Sequence, residues 1–91
     1  MAERRTAIVV IKNKLGLHAR AAAKLVEAAA RFRSKVEVKK DSERVDARSI
    51  LGLMMLGARL GSQIEVSAEG PDAREALSAI LALIEAKFGE D

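Results

Sequence analysis

The chain has 91 residues, 49% hydrophobic and 32% charged: enough for one modest core, too few for two, and too apolar to stay disordered. Its formal charge of +3 comes from 16 basic and 13 acidic residues, and with two phenylalanines as the only aromatics there is little to stack on bases, so no nucleic-acid partner is expected. The absence of cysteine excludes disulfides and thiol chemistry, one histidine leaves only scattered carboxylates for a metal, and no run nears the roughly 18–20 apolar residues of a membrane span, which points to a cytoplasmic protein with no membrane insertion, metal or cofactor.

In chain order, Met1 to Arg5 is polar and leads into Thr6 to Ile11, a short β-branched run of the kind that buries both faces of a strand. Asn13, Lys14 and Gly16 break it. From Ala19 to about Phe32, Ala22, Leu25, Val26 and Ala29 recur at three-to-four spacing in an alanine-rich stretch, which predicts a helix. Ser34 to Lys40 changes period: Val36 and Val38 alternate with Lys35, Glu37 and Lys39, a strand wet on one face. Asp41 and Ser42 supply turn chemistry and Glu43 to Asp46 returns, so a hairpin is expected.

Ser49 to Leu56 is a dense apolar block closed by Gly57 or Gly61, read as a short second helix. Gln63 to Ala68 alternates again, with Ile64, Val66 and Ala68 on the inner face. Gly70-Pro71-Asp72 suits a helix start, with proline in the first turn, and Leu77, Ile80, Leu81, Ile84 and Phe88 form the apolar stripe of a third helix. The order βαββαβα, with strands apolar on one face beside helices with one apolar stripe, predicts an α+β fold: a two-layer sandwich whose other sheet face stays in water.

Gly16-Leu17-His18-Ala19-Arg20-Ala21-Ala22 lies where the first strand gives way to the first helix. A helix start offers unpaired N–H groups and the positive end of the helix dipole, so it attracts phosphate. A neutral imidazole is a nucleophile near physiological pH, and Arg20 brings permanently charged, planar donors suited to phosphate oxygens. A lone histidine more often caps a helix or packs on a sheet, so its setting decides.

That heptapeptide resembles the active-site segment of the HPr family, phosphocarriers of the phosphoenolpyruvate-dependent phosphotransferase system. Arg48-Ser49-Ile50-Leu51-Gly52-Leu53-Met54-Met55-Leu56-Gly57-Ala58 is similar to the family's second signature, around its regulatory serine. The resemblance spans residues 5 to 88. It implies one phosphocarrier domain over residues 1–91, a monomer, with a four-stranded antiparallel sheet in the order 1-4-2-3 covered on one face by three helices. It also implies that phosphorylated Enzyme I loads His18 at Nδ1, that Arg20 stabilises the phosphoryl group, and that an Enzyme IIA domain receives it. The chain would then be a carrier and not an enzyme with its own turnover.

The same resemblance implies that Ile50, Leu51 and Met54, flanked by Ala19 and Ala23, face the partners, with Leu53 and Leu56 turned inward. Composition agrees in part, since one helix face cannot bury every apolar residue of this block, and methionine suits a surface that accepts several partners. Ser49 at the apparent helix start is read as an N-cap; the family adds control by an HPr kinase/phosphorylase, and both uses stay open. Where the family usually has proline after the arginine, this chain has Ala21, which fits a first helical turn and restores an N–H donor but gives up preset backbone geometry. The sugar-uptake branch and a nitrogen-type regulatory branch, in which phosphorylation would switch docking, remain alternatives.

Overall fold

The computed structural model describes residues 3–90. Strands β1 (Glu3–Val10), β2 (Lys35–Lys40), β3 (Glu43–Asp46) and β4 (Gln63–Gly70) form one antiparallel sheet in the order β1-β4-β2-β3. Helices α1 (Ala19–Ala30), α2 (Ile50–Met55) and α3 (Ala73–Glu85) lie on one face, and a 3-10 turn, Lys87–Gly89, follows. This is the α+β sandwich expected, with the strand order that the resemblance implied.

Alternation sets which strand residues meet the helices. Val38 sits between Val66 on β4 and Val45 on β3, and Val9 pairs with Ile64 in the neighbouring row, so branched side chains line the inner face of the sheet. From the helices, Leu25, Leu77, Ile80 and Ile84 join the same core and are buried. Each such side chain contributes about 1.5–3 kcal/mol by leaving water. The small residues Ala21, Ala22, Ala29, Ala73 and Ala76 are fully enclosed, which lets α1 and α3 approach closely.

Three local expectations are corrected. The Thr6 to Ile11 run does not bury both faces: the helices cover one face of the sheet only, and Ile8 and Val10 remain 63% and 40% exposed on the other while Val9 points inward. Pro71 is not in the first turn of α3, because Asp72 is the N-cap and the helix begins at Ala73. Asp72 instead receives hydrogen bonds at its carboxylate from the Ser34 hydroxyl and from the amides of Arg33 and Ser34, which fastens the start of α3 to the start of β2. Phe88 continues the stripe by spacing yet lies outside α3. The backbone turns left-handed at Lys87 and Phe88 (φ 57° and 55°), and the Phe88 ring is swung back into the core, fully buried.

The segment between β1 and α1 is held by its neighbours. The Ile11 amide donates to the Ser62 carbonyl at 2.9 Å, the Gly61 amide to Ile11 at 2.8 Å, and the Leu17 amide to Ala58 at 2.9 Å. Gly16 adopts φ +68°, and a Cβ there would meet the Ala58 carbonyl oxygen at 2.5 Å, so only glycine lets the chain pass here. His18 is therefore presented by a loop braced on the α2–β4 connection.

Candidate functional site

His18 is the N-cap of α1, with extended backbone (φ −82°, ψ −177°) and no capping bond from its side chain. The first intrahelical bond is Ala22 N–H to the His18 carbonyl, at 2.8 Å. The amides of Ala19, Arg20 and Ala21 thus have no backbone acceptor among the described residues. Three unpaired donors and the positive helix end sit beside the imidazole, an arrangement that favours an anion.

The ring itself is oriented by a residue that local sequence patterns do not reveal. Nε2 lies 3.0 Å from both carboxylate oxygens of Glu90. Glu90 is held in turn by Asn13, whose Nδ2 donates to Glu90 Oε1 at 2.8 Å and to the Gly16 carbonyl at 2.7 Å. Two acceptors face that nitrogen, which fixes the amide's orientation. The Asn13 hydrogen bond, then the one from His18, draw the Glu90 carboxyl below its ordinary value, against a smaller opposing effect of burial. Seventy-two residues separate Glu90 from His18, so no spacing rule could pair them.

Arg20 is exposed, on the first turn of α1, and no hydrogen bond or ion pair engages it among the described residues. Its guanidinium can swing toward whatever anion occupies the helix start. Ala21, at the third helical position, is fully buried, so its methyl packs where the family usually has proline.

On α2, Leu53 and Leu56 turn inward and are buried, while Ile50, Leu51, Met54 and Met55 are exposed by 42%, 68%, 41% and 73%. Ala19 is exposed and Ala23 half-buried on α1, which packs against α2. Leu15, on the loop before α1, and Leu60, on the connection from α2 to β4, are also exposed. Ser49 caps α2, its Oγ accepting the Gly52 amide at 2.9 Å, and stands open to solvent next to this surface. Among the described residues no group of three potential metal ligands converges, and no helix is long and apolar enough to cross a membrane.

An imidazole with one nitrogen unpartnered among the described residues, at a helix start that favours an anion on an open-faced sandwich, fits the class of small histidine phosphocarriers. The chain matches the family described as "PTS HPr component phosphorylation site" over residues 5–86. It is 50% identical over 90 residues to phosphocarrier protein HPr of Cupriavidus necator, covering 99% of this chain and 98% of that one. It is 46% identical over 82 residues to phosphocarrier protein NPr of Shewanella violacea, covering 90% of each. The crystal structure of HPr-C-His from Thermoanaerobacter tengcongensis superposes with a TM-score of 0.91 at 48% identity, covering 96% of this chain and 98% of that one. The chain belongs to the HPr family of phosphotransferase-system phosphocarriers.

Proposed function

We propose that residues 1–91 work as one cytoplasmic domain that accepts a phosphoryl group on His18 Nδ1 from phosphorylated Enzyme I and hands it to a histidine of an Enzyme IIA domain. The observation that carries this reading is the ring's orientation: Nε2 is engaged by Glu90, and Nδ1 has no partner among the described residues. Phosphoryl transfer asks for positioning and charge stabilisation more than for covalent chemistry by the protein. The amides of Ala19, Arg20 and Ala21 and the guanidinium of Arg20 supply that charge stabilisation. The exposed residues of α2, with Ala19 and Ala23, are the surface on which both partners dock in turn, and a phosphate on Ser49 would place about −1.5 to −2 charge beside it.

A second reading has support in the similarity to NPr: the chain serves a nitrogen-type branch and its phosphorylation state switches docking on target proteins. Rapid onward transfer from His18 marks the carrier; a long-lived phosphohistidine that alters partner affinity marks the switch. The primary test is incubation with phosphoenolpyruvate and Enzyme I followed by mapping of the modification. Acid-labile phosphate on His18 is expected, and labelling of His18→Ala at the wild-type level would refute the proposal.

A further inference from the structure

Behind the imidazole stands a carboxylate with a complete set of supports. Phe88 is buried, the Lys24 ammonium donates to its carbonyl, and two residues later Glu90 reaches His18 Nε2 with both oxygens at 3.0 Å. Asn13, fully buried near the start of the loop after β1, ties Glu90 Oε1 to the Gly16 carbonyl and so joins the carboxylate to the turn that presents His18. The His18 and Glu90 side chains are only 28% and 17% exposed, so solvent competes with the contact in part.

We infer that Glu90, braced by Asn13, is a positioning residue for phosphoryl transfer, acting through His18. The inference rests on the reading of His18 as the phosphoryl acceptor.

A carboxylate only accepts hydrogen bonds, so the ring nitrogen facing it must carry the proton. In the neutral ring that leaves the lone pair on Nδ1. During uptake this lone pair forms the N–P bond, while the bond from phosphorus to the donor's phosphohistidine nitrogen breaks and its electron pair returns to the donor ring. The Nε2 proton stays where it is. The His18 ring then gains positive charge, and Glu90 faces that charge across the hydrogen bond. Onward transfer is the reverse: the N–P electron pair returns to Nδ1 and the ring is neutral again, its tautomer unchanged. A fixed acceptor behind a working imidazole selects the tautomer and steadies the charge that develops.

A merely structural contact would tether residues 87–90 and do nothing else, so the test reads the ring directly. Glu90→Gln and Glu90→Ala are made in the full chain; the position lies beyond the last strand and helix, and thermal midpoints check that both variants fold. Ring nitrogen-15 shifts of unphosphorylated protein at about pH 9, where imidazole is neutral, report the tautomer without any phosphoryl donor. The wild type should show protonation at Nε2 alone, and both variants a gain of the Nδ1-protonated form. With Enzyme I as donor, kcat/KM for uptake should fall about tenfold in both, the lower end of what loss of a carboxylate behind a histidine costs at metal sites. An unchanged tautomer, or uptake by both variants at the wild-type rate, overturns the role of Glu90 while the wild type's own labelling still supports the carrier. A wild-type chain that takes up no phosphate overturns the carrier reading and the inference with it.

Discussion

Gly16 runs against the backbone of Ala58 so closely that a methyl group on it would sit 2.5 Å from the Ala58 carbonyl oxygen and 2.9 Å from the Arg59 Cα. Both are backbone atoms and cannot swing aside, and the φ of +68° at Gly16 disfavours any other residue. Gly16→Ala should therefore lower stability by at least about 1 kcal/mol, seen as a lower urea midpoint, and slow phosphoryl uptake by displacing the His18 turn. A midpoint equal to the wild type's would mean that the loop yields easily.

Arg20 is exposed and unengaged among the described residues, so its removal should leave the thermal midpoint unchanged while weakening the phosphorylated state. A charge-assisted hydrogen bond contributes about 1.5–3 kcal/mol, and Arg20→Ala should slow transfer roughly tenfold to a hundredfold. Arg20→Lys should recover only part, since an ammonium lacks the planar fork. Equal rates for all three proteins would remove Arg20 from the site.

Met54 stands on the outer face of α2, within the docking surface proposed above. Met54→Glu should raise the KM for Enzyme I about tenfold with unfolding unaltered, because a charge would replace an apolar contact of that surface. Steady-state transfer assays at several concentrations test this; an unchanged KM argues against the patch.

Ser49 combines a cap with a place for charge. Ser49→Ala should lower stability by about 0.5–2 kcal/mol through loss of the Gly52 amide's acceptor. Ser49→Asp keeps an acceptor and suits the helix dipole, so it should fold as well as the wild type yet transfer more slowly. If the two variants lose transfer equally, the serine acts through the helix and not through charge.

Acid should find the Ser34–Asp72 fastening. The Ser34 hydroxyl first, then the Arg33 amide, hold the Asp72 carboxyl below its ordinary value of 3.8. A carboxyl depressed by folding contributes stability that is present above its unfolded value and lost as pH falls through the folded one. The thermal midpoint should thus drop as pH falls below about 4, and by less in Asp72→Asn, whose side chain does not titrate. Parallel drops in the two proteins would assign the acid sensitivity elsewhere.

The legible parts of this fold are those whose cause is local. Alternation at Val36/Val38 and Ile64/Val66, and the helical stripe through Leu77, Ile80 and Ile84, each follow from a period, and the structure buries these residues. Ile8 and Val10 misled because an apolar run does not say whether both faces of its sheet are covered. Phe88 kept helical spacing while the backbone left the helix, since the core selects the ring and not the route to it. At the site, His18 and Arg20 were visible in a contiguous motif. Asn13 and Glu90 were not, because their contact closes across 77 residues and neither periodicity nor composition records such closure.

The left-handed turn at Lys87 and Phe88 makes the end of the fold a measuring device. The buried Phe88 ring is its fixed end, Gly89 its single spacer, and the Glu90 carboxylate its tip against His18. One residue of extended chain spans about 3.3–3.6 Å, whereas a hydrogen bond tolerates a few tenths of an ångström. Inserting one residue beside Gly89, with every side chain otherwise kept, would carry the tip past the imidazole. The distance from core to site is thus counted in residues, and length at this point is as much a part of the site as chemistry.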